Sequence, residues 1–198
     1  EYALEKRLFI PYESIPKKVV NSFLSAEDKN FFNHPGIDAK GILRALIKNL
    51  KNISADKRLE GASTITQQVA KNFLLTNEVS LNRKIKEAIL AFRIERALNK
   101  ERILELYLNQ IYLGSGAYGV AAASLEYFDK SIKDLDYSEA ALLAALPKAP
   151  SRYNPYRNIK LAKFRRDLVL KNLLENNFLS SKEYEQLKKQ NIQLKKKK

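Results

Sequence analysis

At 198 residues, with only 6 glycines and 6 prolines among abundant helix formers, the chain is long enough for one well-cored domain and is expected to be all-α or nearly so. The absence of cysteine excludes disulfides and thiolate metal sites, and a lone histidine without a His-Glu-x-x-His pattern excludes the common zinc-hydrolase centre. An excess of 36 Lys and Arg over 22 Asp and Glu, +14 net, points to an anionic partner: nucleic acid, acidic phospholipid or a phosphorylated substrate.

Residues 1–15 read as an extended lead-in with room for one short strand around Leu8-Phe9-Ile10. Pro16 suits the first turn of a helix whose apolar stripe is Val19, Val20, Phe23 and Leu24, so Glu27 falls near its end. Asp28, Phe31, Phe32, His34 and the Pro35-Gly36 breaker follow at once. A carboxylate at that helix end, beside aromatics, would have its charged form disfavoured and would suit a general base. The plainer alternative is a solvated helix end with a structural His34.

Asp38 can cap a helix running to about Asn49, in which Ile42, Leu43, Leu46, Ile47 and Leu50 alternate with Lys40, Arg44, Lys48 and Lys51. Such a helix either packs on a core or lies in a membrane interface. Asn52 to Glu60 is polar and aperiodic and reads as a loop. In Gly61-Ala62-Ser63-Thr64-Ile65-Thr66-Gln67-Gln68, Ser63 is the expected N-cap of a helix to about Leu75, with Ile65, Val69 and Phe73 on its buried side. Hydroxyls at that start and Lys71 further on could receive an anion; an ordinary capped helix is the alternative.

Ser80 can cap the next helix, to about Leu98, whose run Ala88-Ile89-Leu90-Ala91-Phe92 is apolar all round and so predicts a central, largely buried element. Lys84 and Glu87 stand three apart near its start and can face one cleft. Gly114-x-Gly116-x-x-Gly119 spells a dinucleotide fingerprint, but it follows a helical pattern and reads as a turn. Asp136 and Glu139 form a capping box for a helix over Tyr137–Leu146, closed by Pro147. A long basic helix over 158–176 follows, its Arg165-Arg166 pair read as a solvated face, and Ser180 with Glu183 caps a last helix.

Five ordered blocks in this chain resemble one family: Glu27-Asp28-x-x-Phe31-x-x-His34-x-Gly36; Gly61-x-Ser63-Thr64-Ile65-Thr66-Gln67-Gln68; Arg83-Lys84-x-x-Glu87; Lys100-x-x-Ile103-Leu104-x-x-Tyr107-Leu108-Asn109; and Ala144-Ala145-Leu146-Pro147 through Tyr153-Asn154-Pro155. The chain is similar, over roughly residues 8 to 185, to the peptidoglycan glycosyltransferase domain of class A penicillin-binding proteins and their monofunctional relatives. Ala62 departs from the family's second glycine.

The resemblance implies a single domain over 1–198: a lysozyme-like helical lobe with a smaller membrane-facing jaw from about residues 38–60. It implies inverting transfer from a glycan chain on a polyprenyl diphosphate to a lipid-linked disaccharide (lipid II), at the outer face of a bacterial membrane. Glu27 aligns with the base and Glu87 with the second essential carboxylate. Ser63, Gln67, Gln68, Lys71, Arg83 and Lys84 align with groups lining the diphosphate and sugar sites. A divalent metal such as Mg2+ or Mn2+ near Glu87 stays open as a cofactor. The expected partners are the lipid-linked disaccharide, the growing glycan and the membrane surface, with no nucleic acid and with a C-terminal transpeptidase domain in the full-length protein. Two Ser-x-x-Lys matches, at Ser14 and Ser54, lack the companion motifs of a penicillin site and are read as chance. Two rivals stand beside this reading. One is a lysozyme-like enzyme that cleaves glycan, which would have no need of the cationic pocket; the other is a non-enzymatic basic module, which would leave Glu27 and Glu87 without purpose.

Overall fold

The computed structural model describes residues 5–54, 63–74 and 81–196. Helices dominate, as the composition implied: α1 (Lys17–Glu27), α2 (Ala39–Ser54), α3 (Ile65–Leu74), α4 (Leu81–Ala97), α5 (Lys100–Gln110), α6 (Val120–Phe128), α7 (Tyr137–Ala145), α8 (Ile159–Glu175) and α9 (Ser181–Lys189). Two-residue strands β1 (Lys6–Arg7) and β2 (Ala117–Tyr118) pair in parallel. The chain divides into two compact units, one formed by the described residues up to Lys29 and from Glu105 onward, the other by Asn30–Leu104.

In the first unit α7 is the hub. Its capping box forms as expected, with Asp136 Oδ1 accepting the Glu139 N–H at 2.8 Å and Glu139 Oε2 accepting the Asp136 N–H at 3.0 Å. From Ala140 to Leu146 every residue is buried, and α1, α6, α8 and α9 all pack against this helix. Its alanines let those neighbours approach closely, and each fully buried leucine contributes about 1.5–3 kcal/mol. The Val19, Val20, Phe23 and Leu24 stripe of α1 is buried as predicted.

The lead-in is held by α5. The Asn109 amide accepts the Ile10 N–H at 2.8 Å and donates to the Ile10 carbonyl at 2.8 Å, while Glu105 Oε2 accepts the Tyr12 N–H at 2.8 Å. Gly119 has φ +81°, and a Cβ there would sit 2.5 Å from the Asn109 carbonyl oxygen. This turn admits only glycine, which accounts for the fingerprint-like spacing.

Arg166 corrects the expectation of a solvated charge run. Its side chain is fully buried, and the guanidinium donates to Asp167 Oδ1 at 2.7 Å, to Ser138 Oγ at 2.9 Å and to the carbonyls of Gln190 at 2.9 Å and Lys188 at 3.2 Å. It thereby ties α7, α8 and the end of α9 together. Past α9 the chain runs back to α6, where the Lys195 N–H donates to the Tyr127 carbonyl at 2.8 Å.

In the second unit α2 starts at the expected cap, with Asp38 Oδ1 accepting the Gly41 N–H at 2.9 Å. Burial alone would raise the Asp38 pKa; the Gly41 and Asn30 hydrogen bonds, with the charges of His34 and Arg44, outweigh it and hold the carboxyl below its usual value. The helix continues to Ser54, into the stretch read as loop; residues 55–60, with Gly61, Ala62, Leu75 and Ser80, lie outside the described residues.

Helix α4 departs from expectation. Ile85, Ile89 and Phe92 are exposed, as is Phe73 of α3, and among the described side chains of α4 only Glu87 and Ala91, on the opposite face, are buried. An all-round apolar run reports how many faces can be buried, not how many neighbours arrive; α4 packs chiefly on α3, through one face.

Replacing Arg166 with alanine removes the donor to Ser138 and the Gln190 carbonyl and leaves Asp167 and the Lys188 carbonyl with Lys163 alone, and is expected to lower unfolding free energy by about 3 kcal/mol. Urea unfolding measures this, and Arg166→Met, which keeps the volume, should lose less.

Candidate active site

Glu27 ends α1 and is half-buried, while Asp28 beside it is buried. The turn that carries them is pinned from α8: Asn172 Nδ2 donates to the Ser25 carbonyl at 3.0 Å and Asn176 Nδ2 to Ser25 Oγ at 3.0 Å. Both asparagines satisfy acceptors at a helix C-terminus, where carbonyls have no intrahelical partner. Neither carried any signal in the sequence, because the contact spans 147 and 151 positions.

The rest of the first block belongs to the second unit, and its role there is architectural. Gly36 has φ +98°, and a Cβ on it would press to 3.1 Å against the backbone carbonyl of Ala91. Its N–H donates to His34 Nδ1 at 3.1 Å and its carbonyl accepts the Thr64 hydroxyl at 2.6 Å. Lys100 Nζ donates to the His34 carbonyl at 2.6 Å and to Glu95 Oε1 at 2.7 Å, and lies 4.5 Å from the centre of the buried Phe31 ring. Glu95 Oε1 also accepts from Thr66 Oγ1 at 2.6 Å. Residues of the first, second and fourth blocks thus meet in one buried network, and His34 is the structural histidine of the plainer reading.

The start of α3 differs from expectation in its cap. Thr64, not Ser63, closes the helix: Thr64 Oγ1 accepts the Gln67 N–H at 3.1 Å and Gln67 Oε1 accepts the Thr64 N–H at 2.9 Å. This is a capping box, and it occupies Gln67. Ser63 is released from capping, and its Oγ accepts from Lys84 Nζ at 3.0 Å.

Lys84 Nζ also donates to Glu87 Oε1 at 2.7 Å, so the ammonium is held between a hydroxyl and a carboxylate. Glu87 is 1% exposed, whereas the Lys84 side chain is 48% exposed. Arg83 NH1 lies 3.8 Å from Glu87 Oε2, which accepts no hydrogen bond within the fold. A carboxylate buried this deeply needs cations beside it. The structure therefore brings Ser63, Arg83, Lys84 and Glu87 together. Gln67 is turned back to its cap, Gln68 is half-buried with its N–H on the Thr64 carbonyl, and Lys71 is exposed in the last turn of α3 rather than at its start.

For a metal, the donor set is a single carboxylate flanked by two cations, and among the described residues no group of three or more His, Cys, Asp or Glu could hold an ion. That arrangement does not make a protein-held metal centre among the described residues.

A family model described as Transglycosylase matches residues 1–174. The chain belongs to this family and is a glycosyltransferase domain. It is similar to penicillin-binding protein 1A of Rickettsia felis, 58% identical over 180 residues that make up 91% of this chain and 23% of that protein. The same protein of Aquifex aeolicus is 52% identical over 92% of this chain and 25% of its own length. The crystal structure of penicillin-binding protein 1A from Haemophilus influenzae superposes with a TM-score of 0.58 at 27% identity, covering 98% of this chain and 19% of that one. The chain thus spans about a quarter of the length of the curated relatives it matches.

If Lys84 serves chemistry and not only Glu87, Lys84→Ala should lower turnover by roughly 10²-fold even at a temperature where the variant, which has lost one of the two cations beside the buried Glu87, is still fully folded. Steady-state glycan polymerisation beside thermal unfolding measures both.

Proposed function

We propose that this domain polymerises peptidoglycan glycan by inverting transfer from a polyprenyl-diphosphate-linked chain to a lipid-linked disaccharide. The observation that carries the reading is Lys84, held by Ser63 and the buried Glu87 while half its side chain stays open to solvent. A diphosphate leaving group gathers negative charge as the anomeric C–O bond breaks, and a cation oriented before the reaction stabilises it with little reorganisation. A sugar leaving group would instead call for a proton donor, so this cluster speaks against glycan cleavage.

In this mechanism Glu27 takes the proton of the acceptor hydroxyl as that oxygen attacks the anomeric carbon from the face opposite the diphosphate. The new C–O bond forms as the old one breaks, the diphosphate leaves with its electron pair toward Lys84, and the configuration inverts. Glu87 holds Lys84 in place and, with Arg83, sets the local charge. Gln68 and Lys71 are assigned to the flanking sugar and phosphate contacts, and Gln67 acts through the Thr64 cap.

The lipid tails of both substrates require a membrane surface, and α2 supports one. Leu43, Leu46, Ile47 and Leu50 are each more than half exposed, and Lys40 and Arg44 are exposed beside them. Ala45 and Ile42 face the protein instead, so the outward apolar face is separate from the packed one. No helix of the described residues is long and apolar enough to cross a membrane. We assign this face to the outer leaflet surface of a bacterial membrane, and the remaining length of the relatives to a further, transpeptidase domain.

The Glu27→Gln variant is expected to fold normally and to lose about 10²–10⁴-fold in turnover of labelled lipid-linked disaccharide, read by sizing the product. Turnover near wild type would remove Glu27 from the role of base. Binding to anionic vesicles, measured by co-sedimentation, should weaken with Leu46→Asp and with added salt; indifference to both would remove α2 from the membrane contact.

A further inference from the structure

Of the three residues in the Tyr107-Leu108-Asn109 block, two are explained by the fold. Leu108 is core, and Asn109 clamps the lead-in at Ile10. Tyr107 is not explained. It is 1% exposed, and its hydroxyl makes no hydrogen bond. The ring stands edge-on to Phe23, with centroids 6.2 Å apart and planes at 76°, and Phe23 lies one helical turn before Glu27 on α1. A phenylalanine would fill the same space without burying an unmet polar group, so packing does not account for the oxygen. The charged groups that act on the hydroxyl are Glu27 and Asp28, Glu27 the more strongly. Burial first, and these two charges second, push the phenol well above its ordinary pKa, so it keeps its proton and is able to donate it in a hydrogen bond.

We propose that Tyr107 is a positioning residue for Glu27: its buried hydroxyl receives the Glu27 carboxylate when the acceptor sugar is bound, and fixes which carboxylate oxygen faces the acceptor. The inference rests on Glu27 being the base of the proposed reaction. A hydrogen bond donated to one oxygen favours the ionised form and leaves the other oxygen to take the proton. The proton passes from the acceptor hydroxyl to Glu27, and Tyr107 keeps its own. This assigns the cost of an unmet buried hydroxyl to the resting state and its use to the loaded one.

The test compares wild type, Tyr107→Phe and Glu27→Gln in the full chain, with kcat and KM for lipid-linked disaccharide measured across pH and thermal unfolding measured in parallel. Tyr107→Phe is expected to lower kcat by about 10–100-fold with KM nearly unchanged. The acid limb of its kcat profile should move to higher pH, because the ionised base has lost a donor. Its melting temperature should hold or rise, since a buried hydroxyl without a partner has been removed. A Tyr107→Phe enzyme with wild-type kcat and acid limb, beside an inactive Glu27→Gln, overturns the inference and leaves the base assignment standing. A loss of kcat accompanied by a fall in melting temperature and an unmoved acid limb also overturns it, as a purely structural role. An active Glu27→Gln overturns the base assignment and the inference with it.

Discussion

A helix buried on every side constrains everything that touches it, and α7 imposes that constraint on the first unit. From Ala140 to Leu146 it offers no polar side chain, so its neighbours must each supply an apolar face and carry their own polar groups outward or to caps. Helix α1 satisfies this with Val19, Val20, Phe23 and Leu24, which fixes its rotation about its own axis. The end of α1, with Glu27, is then set by packing on one side and by Asn172 and Asn176 of α8 on another. The backbone that carries the Glu27 carboxylate is therefore held by the core, which suits the base role proposed for it.

The second unit is organised by polar pairing instead. Its helices present exposed apolar residues in number, so less of its cohesion comes from burial. The Thr64 hydroxyl serves twice, accepting from the Gln67 N–H and donating to the Gly36 carbonyl, while Glu95 joins Thr66 to Lys100. These bonds link the loop after His34 to the starts of α3 and α5 and to the last turns of α4. Because Thr64 takes the capping duty, Ser63 is left for Lys84. The local chemistry of a helix start therefore decides which hydroxyl is available to a ligand.

Most of the scaffold was legible in the sequence because its determinants are local. The capping boxes at Asp136 and Ser180, the Asp38 cap, the stripe of α1 and the glycine turn before α6 each lie within a few residues of what they control. The Lys84–Glu87 pair was legible for the same reason, being three positions apart on one helix. What was not legible depends on distant neighbours. The exposure of Ile85, Ile89 and Phe92 goes with α4 packing, among the described elements, chiefly on α3, and the burial of Arg166 reflects three elements converging on one guanidinium. The choice between Ser63 and Thr64 as cap turned on the Gly36 carbonyl, 28 positions away from Thr64.

The same distinction bears on where chemistry is to be sought. Folding tends to satisfy every buried donor and acceptor, so an atom left unsatisfied marks a place where some other requirement has prevailed. Among such atoms, Glu87 Oε2 in the second unit belongs to one of the carboxylates given roles in the reaction, and the Tyr107 hydroxyl in the first is acted on by the charge of the other. The Lys84 ammonium and the Arg83 guanidinium balance the charge of Glu87 while leaving one of its oxygens without a hydrogen bond. Tyr107 has the charge of Glu27 to act on it but no acceptor in reach. Neither atom stabilises the resting fold, and a sequence selected for stability alone would replace Tyr107 with phenylalanine. Their retention is understandable if each completes its hydrogen bonding only when substrate is present. On that view each unmet atom is held in place at some loss of stability, and binding recovers that loss.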